Sequence, residues 1–179
     1  MADERTLQSQ RMYEGRILNV RLDTVMLADG STTSRETVEH VDSVLVVPIN
    51  YDKEVLLVSQ YRKSPEKRLM EVPCGGMEKG EQPDQAAIRE LREETGFTAG
   101  QLRKMAGFWI APGFCDEYMH AYVATALMPS PLEADVDEMI DVVPVPLDTI
   151  IDSVLAGDIE DSKSIAALMM VIYVYGSSL

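Results

Sequence analysis

The sequence predicts an α/β fold: one domain in which a mixed β-sheet lies between helices. Three observations carry this. Two near-continuous apolar runs of strand length, SVLVVPI (43–49) and EVLLVSQY (54–61), stand in the first half. An amphipathic segment of helical length (82–95) follows them. Strand-like and helical segments then alternate to the end of 179 residues, a length suited to one domain, with no low-complexity linker and no internal repeat.

Taken in order, residues 11–49 are strand-like. Ile17, Val20, Leu22, Val25 and Leu27 lead into Ala-Asp-Gly-Ser (28–31), whose Asp-Gly pair is a hairpin turn signal. The return strand is expected over 33–40. The run 43–49 reads as a strand covered on both faces, and 54–61 follows the turn-forming Asn-Tyr-Asp-Lys; these two are expected to form the central sheet. Pro83 suits the first turn of the helix over 82–95, and Gly96 the residue just past its end. Ala86, Ala87 and Leu91 are expected to face the sheet. Further strands are expected at 105–110, 118–127 and 140–145, then helices at 147–156 and 162–175. The last of these carries IAALMMVIYVY, too short to cross a bilayer and read as a buried terminal helix.

The net charge is −14, from 16 Lys+Arg against 30 Asp+Glu. That argues against a nucleic-acid footprint, which would be basic. Two cysteines, Cys74 and Cys115, occur outside any metal-ligand spacing, and the N-terminus is polar with no apolar signal segment. The expectation is a cytoplasmic protein with neither nucleic-acid nor membrane partners.

The chemistry is concentrated in CGGMEKGEQPDQAAIRELREETGF (74–97). On a helix Glu90, Glu93 and Glu94 stand at i, i+3 and i+4, on one face, where like charges repel and the helix dipole disfavours anions. Clustered carboxylates are what a hard divalent cation requires; a solvated acidic face is the plainer account of the same stripe. Arg89 can orient or neutralise one carboxylate.

The spacing goes further. Gly75, five residues, Glu81, seven residues, Arg89-Glu90-Leu91, one residue, Glu93-Glu94, one residue, Gly96-Phe97 resembles the Nudix box at every fixed position. The resemblance implies a Nudix-type α/β/α sandwich with N-terminal antiparallel strands, and hydrolysis of a nucleoside diphosphate linked to another moiety. It implies Mg²⁺ or Mn²⁺ held by Glu90, Glu93, Glu94 and the main-chain carbonyl of Cys74, with Gly75, Glu81 and Gly96 as supporting frame. Pro112, in APGFCDE, together with YEGRILNVRLDTVMLADG, SRETVEH and SQYR, is similar to the ADP-ribose pyrophosphatase subfamily. By that likeness residues 11–41 would be dimerisation strands and 42–179 a catalytic core, in a homodimer.

The same likeness assigns substrate-binding roles to Arg35, Glu36, Arg62, Glu71 and Pro112. Arg62 is suited to phosphate by its planar fork, or it forms a surface ion pair at a strand end; Glu71 contacts a ribose hydroxyl or ends its strand. Trp109 and Phe114 are read as core aromatics rather than base-stacking groups, and His40 and His120 as packing residues. For the general base, Glu138 in PLEADVDEMID (131–141) is chosen, with Glu93 as the alternative. The expected reaction is cleavage of ADP-ribose to AMP and ribose 5-phosphate. Alternatives are hydrolysis of another sugar nucleotide such as GDP-mannose, or a silent ADP-ribose sensor, which the full set of box glutamates disfavours.

Overall fold

The computed structural model describes residues 4–133 and 139–175. By compactness the chain forms two units, Met1–Asp42 with Phe108–Met119, and Ser43–Gly107 with His120–Leu179.

The first unit is an antiparallel meander of β1 (Glu4–Glu14), β2 (Leu18–Leu27) and β3 (Thr32–His40). The Asp-Gly turn between β2 and β3 forms as the sequence predicts. Gly30 takes a left-handed φ of 85°, Leu27 N–H donates to Ser31 O at 2.8 Å, and Asp29 Oδ1 accepts from both the amide and the hydroxyl of Ser31. β1 extends N-terminal to the predicted strand region. Its sequence, ERTLQSQRMYE, is exposed throughout and pairs with β2 across two irregularities, so no hydrophobic alternation marks it. The loop after Trp109 is tied to β3: Val38 N–H donates to Phe114 O (2.7 Å), Asp116 N–H to Val38 O (3.1 Å), and His40 N–H to Asp116 Oδ1 (2.9 Å).

In the second unit, β4 (Ser43–Pro48) lies between β7 (Cys74–Gly76) and β9 (Tyr118–Pro129), with β8 (Phe97–Trp109) at the far edge. A separate sheet has β5 (Glu54–Arg62) between β10 (Ile140–Pro146) and β6 (Lys67–Glu71). The expectation that 43–49 and 54–61 share a central sheet is therefore corrected. Each has both edges occupied by other strands, and an isolated bridge joins Ile49 to Val55. Between them Lys53 adopts a positive φ while Asn50 Oδ1 accepts the amides of Asp52 and Glu54, a tight turn that redirects the chain.

α1 (Pro83–Thr95) begins at Gln82, whose amide donates to Gln85 Oε1, and ends at Gly96 in the left-handed conformation. Ala86, Ala87 and Leu91 pack with Val44, Val46, Leu56, Tyr122, Ala124 and Leu127 in one buried cluster. Burying Leu91 alone contributes about 2 kcal/mol. Residues alternate faces along a strand, so the wholly buried Leu45 and Val47 point away from α1, to the side where α3 (Ser162–Tyr175) buries Ala167, Leu168 and Val171. α3 emerges at its C-terminal end, where Tyr173 and Val174 are exposed, so it is less buried than its apolar run suggests. A single turn of 3₁₀ helix (Leu147–Thr149) precedes α2 (Ile150–Ala156). Among the described residues no helix is long and apolar enough to cross a membrane.

Candidate active site

α1 lies against β7 and brings the glycine-rich entrance and the glutamates together. The centre of the arrangement is Arg89. Its Nε and Nη2 donate to the two oxygens of Glu81, both at 3.0 Å. Nη1 donates to Glu90 Oε1 (2.6 Å) and Glu93 Oε2 (2.9 Å), and Nη2 also donates to the carbonyl of Gly76 (3.0 Å). A guanidinium has five N–H donors, and these contacts use all of them, so Arg89 orients the carboxylates and has no donor left for a substrate. Hydrogen bonds to Glu81, then attraction to Glu90 and Glu93, raise the Arg89 pKa above its already high ordinary value. The same clasp holds Glu81 below the usual carboxylate range.

Glu90 and Glu94 are 8% and 5% exposed, unusual for carboxylates on a helix and proof that α1 turns them inward. Gly75 explains how Glu90 fits: a Cβ there would stand 2.1 Å from Glu90 Oε1 and 2.2 Å from its Cδ, so only glycine leaves the carboxylate room against the backbone. Glu94 Oε2 accepts the Cys74 amide at 3.2 Å. Burial pushes the Cys74 thiol up to about 12, so it stays protonated at neutral pH and is no nucleophile.

The donor set suits a hard divalent cation: carboxylate oxygens gathered around a glycine cradle. Among the described residues, however, no three His, Cys, Asp or Glu stand together at metal-holding spacing. Arg89 draws Glu90 and Glu93 to itself while Glu94 Oε2 accepts the Cys74 amide, and this holds the three carboxylates apart.

Beside this cluster lies a second one. Glu71, 1% exposed, accepts Arg62 Nε at 2.7 Å, Arg62 Nη2 at 2.9 Å and Lys163 Nζ at 2.5 Å. Burial alone would raise the Glu71 pKa, but the two cations outweigh it and hold the group below its ordinary value. Hydrogen bonding to Glu71 in turn raises Arg62. Sequence reasoning missed Lys163, which lies 92 residues from its partner; the only local signal in that segment is the helix start at Asp161, whose Oδ2 accepts the amide and hydroxyl of Ser164.

In the first unit Arg35 is paired with Glu4 through Nη2 at 2.6 Å, and Glu36 lines a cavity of ≈ 360 Å³ that also holds Phe114. Pro112 is exposed in a turn closed by Phe114 N–H to Ala111 O. Trp109 and Phe114 are 53% and 60% exposed, which corrects their reading as core aromatics; Trp109 meets Tyr118 edge-on with ring centroids 4.9 Å apart. The reason is local: Trp109 ends β8, and the loop after it, which bears Phe114, folds back on β3 by main-chain bonds rather than by burying side chains. His40 Nδ1 bonds the carbonyl of Val41 and His120 Nδ1 accepts from Lys104. Glu138 lies outside the described residues.

Residues 39–168 match the NUDIX domain, and residues 4–38 match a nucleoside diphosphate sugar hydrolase N-terminal domain. A Bacillus methanolicus protein named methanol dehydrogenase activator is 38% identical over 93% of this chain and 91% of its own. An ADP-ribose pyrophosphatase of Bacillus subtilis (strain 168) is 34% identical, with the same coverage. The crystal structure of an ADP compounds hydrolase superposes with a TM-score of 0.89 at 26% identity, covering 99% of this chain and 96% of that one. Divalent metal is a general requirement of such enzymes. With its glycine cradle, its saturated arginine and its inward-turned glutamates, the chain belongs to the Nudix hydrolase family.

Proposed function

We propose that this protein hydrolyses the pyrophosphate of ADP-ribose to AMP and ribose 5-phosphate. The observation that carries the reaction type is the assembly of Glu81, Arg89, Glu90, Glu93 and Glu94 by α1 over Gly75. The substrate is supported by the relative named ADP-ribose pyrophosphatase.

Glu90, Glu93, Glu94 and the Cys74 carbonyl would hold Mg²⁺ or Mn²⁺. A divalent cation there supplies positive charge against the pyrophosphate and promotes attack by water. The chain's own residues do the rest. Arg89 and Glu81 fix the carboxylates. Arg62, clasped side-on through Nε and Nη2, leaves its Nη1 end for phosphate oxygens. Glu138 takes the proton from the attacking water, or Glu93 does where it is not tied to the metal. Arg35, Glu36 and Pro112 are carried as substrate-binding residues by likeness alone, and the KM of each alanine variant tests them.

A homodimer is part of the reading, supported by the exposed Leu7, Met12 and Tyr13 on edge strand β1; light scattering that shows only monomer removes it. A cytoplasmic setting suits the two free thiols.

A second reading, another sugar nucleotide such as GDP-mannose, is favoured by the N-terminal match, whose description names the broader nucleoside diphosphate sugar class. One panel separates the two: purified protein, Mg²⁺, and a set of nucleotide sugars, with release of the nucleoside monophosphate (AMP or GMP) monitored. AMP from ADP-ribose, lost on chelation, is expected. Cleavage of GDP-mannose alone transfers the assignment to the second reading, and no cleavage of any member overturns both.

A further inference from the structure

The first turn of α3 grips the strand that leads into the glycine cradle. Val72 N–H donates to Ser164 Oγ at 2.8 Å, Ser164 Oγ–H donates to Asp161 Oδ2 at 2.5 Å, and Lys163 Nζ reaches both Glu71 Oε2 (2.5 Å) and Asp161 Oδ1 (2.9 Å). Glu71 and Ser164 are buried, and Lys163 and Asp161 half-buried. A guanidinium presents two forked faces, and Glu71 occupies the side-on one, Nε with Nη2. Nη2 also directs its other N–H to Cys74 Sγ at 4.0 Å, so what remains for a ligand is Nη1.

A buried carboxylate shared by two cations has its orientation set by both. With Lys163 absent, Glu71 could rotate toward Arg62 alone, and the guanidinium would lose its fixed direction. We infer that Lys163 is a positioning residue for substrate phosphate: by holding one oxygen of Glu71 from the start of α3, it locks the side-on clasp on Arg62 and so fixes the orientation of Nη1, the end left for phosphate oxygens. This rests on the assignment of Arg62 to the diphosphate. It adds a residue 101 positions away from that arginine, acting through the acid between them.

The test is equilibrium binding of ADP-ribose in the presence of a chelator, so that affinity is read without turnover. Arg62→Ala is expected to weaken binding by about tenfold or more, as for loss of a charge-assisted fork. Lys163→Met should weaken it by about threefold to tenfold, and the double variant should be no weaker than Arg62→Ala alone, because the two act through one contact. Wild-type affinity in Lys163→Met, or losses that add in full in the double variant, would overturn the inference while leaving the Arg62 assignment intact. Wild-type affinity in Arg62→Ala would instead overturn that assignment, and the inference with it. Thermal melts check the fold. Should Lys163→Met not fold, Lys163→Arg is expected to keep affinity and Lys163→Gln to lose it; equal affinity in those two refutes the inference.

Discussion

Two charged clusters lie side by side in the second unit, and they are built in opposite senses. On α1 one cation, Arg89, is shared by three carboxylates, Glu81, Glu90 and Glu93. Between β6 and α3 one carboxylate, Glu71, is shared by two cations, Arg62 and Lys163. The first has an excess of negative charge and a donor that is fully used; the second is balanced, because Asp161 also pairs with Lys163, so that two cations meet two carboxylates. A buried charge must be paired or it costs several kcal/mol, so the excess on α1 is the one that calls for a ligand of opposite sign. In a chain of net charge −14, Arg62 and Lys163 are the local cations that a diphosphate would meet beside it.

The comparison can be broken most severely from the acidic side. Glu94→Gln keeps the shape of the side chain and removes one anion, and turnover of ADP-ribose with Mg²⁺ is expected to fall by about 100-fold or more with the melting temperature little changed. Undiminished turnover would remove the α1 carboxylates from the site. Next comes Gly75→Ala. The added methyl must displace the Glu90 carboxylate, which is the end of a flexible side chain, so activity is expected to fall by about thirtyfold while stability drops by less than about 1 kcal/mol. A variant with full activity would show that Glu90 does not need its seat on the backbone.

The basic cluster gives a smaller effect with a clear sign. Because Glu71 has a lowered pKa in the folded protein, its contribution to stability is present at neutral pH and is lost as pH falls through that lowered value. Glu71→Gln is therefore expected to be less stable by about 2 kcal/mol at pH 7. The gap to the parent should close on acidification below the ordinary carboxylate range, as followed by urea unfolding across pH. A gap that does not vary with pH would mean the carboxylate is not charged in the fold.

The smallest effect sharpens the contrast rather than breaking it. Arg89→Met leaves Glu81, Glu90 and Glu93 without their shared cation, and about 1 kcal/mol of stability should be lost without metal. Divalent cation should then raise the melting temperature of the variant more than that of the parent, because Arg89 no longer competes for the same oxygens. An equal rise in both would show that arginine and metal do not exchange.

How much of this could be read from the sequence differs from one cluster to the other. The α1 cluster was nearly complete on the page: 3.6 residues per turn place Glu90, Glu93 and Glu94 on one face, Pro83 and Gly96 mark the ends, and the buried trio Ala86, Ala87 and Leu91 follows from the same period. What could not be read was that Arg89 would engage Glu81, Glu90 and Glu93 at once, or that Gly75 serves as a seat for Glu90 and not only as a flexible turn. The exposed strand β1 escaped because polar edge strands carry no alternation, and Trp109 and Phe114 were misread because the loop that follows Trp109 and bears Phe114 is held by main-chain bonds.

The sequence by itself determined whatever depends on neighbours within a few positions: the helix, its caps, the Asp-Gly turn, and the motif that marks a pyrophosphate hydrolase. The tertiary structure decided which strand takes which partner, dividing β4 and β5 between two sheets, and it brought Lys163 to Glu71 across 92 residues. The reason is physical. Periodicity encodes the face a residue presents, whereas the partner it meets there depends on how the packed layers close, and that is set by the core as a whole.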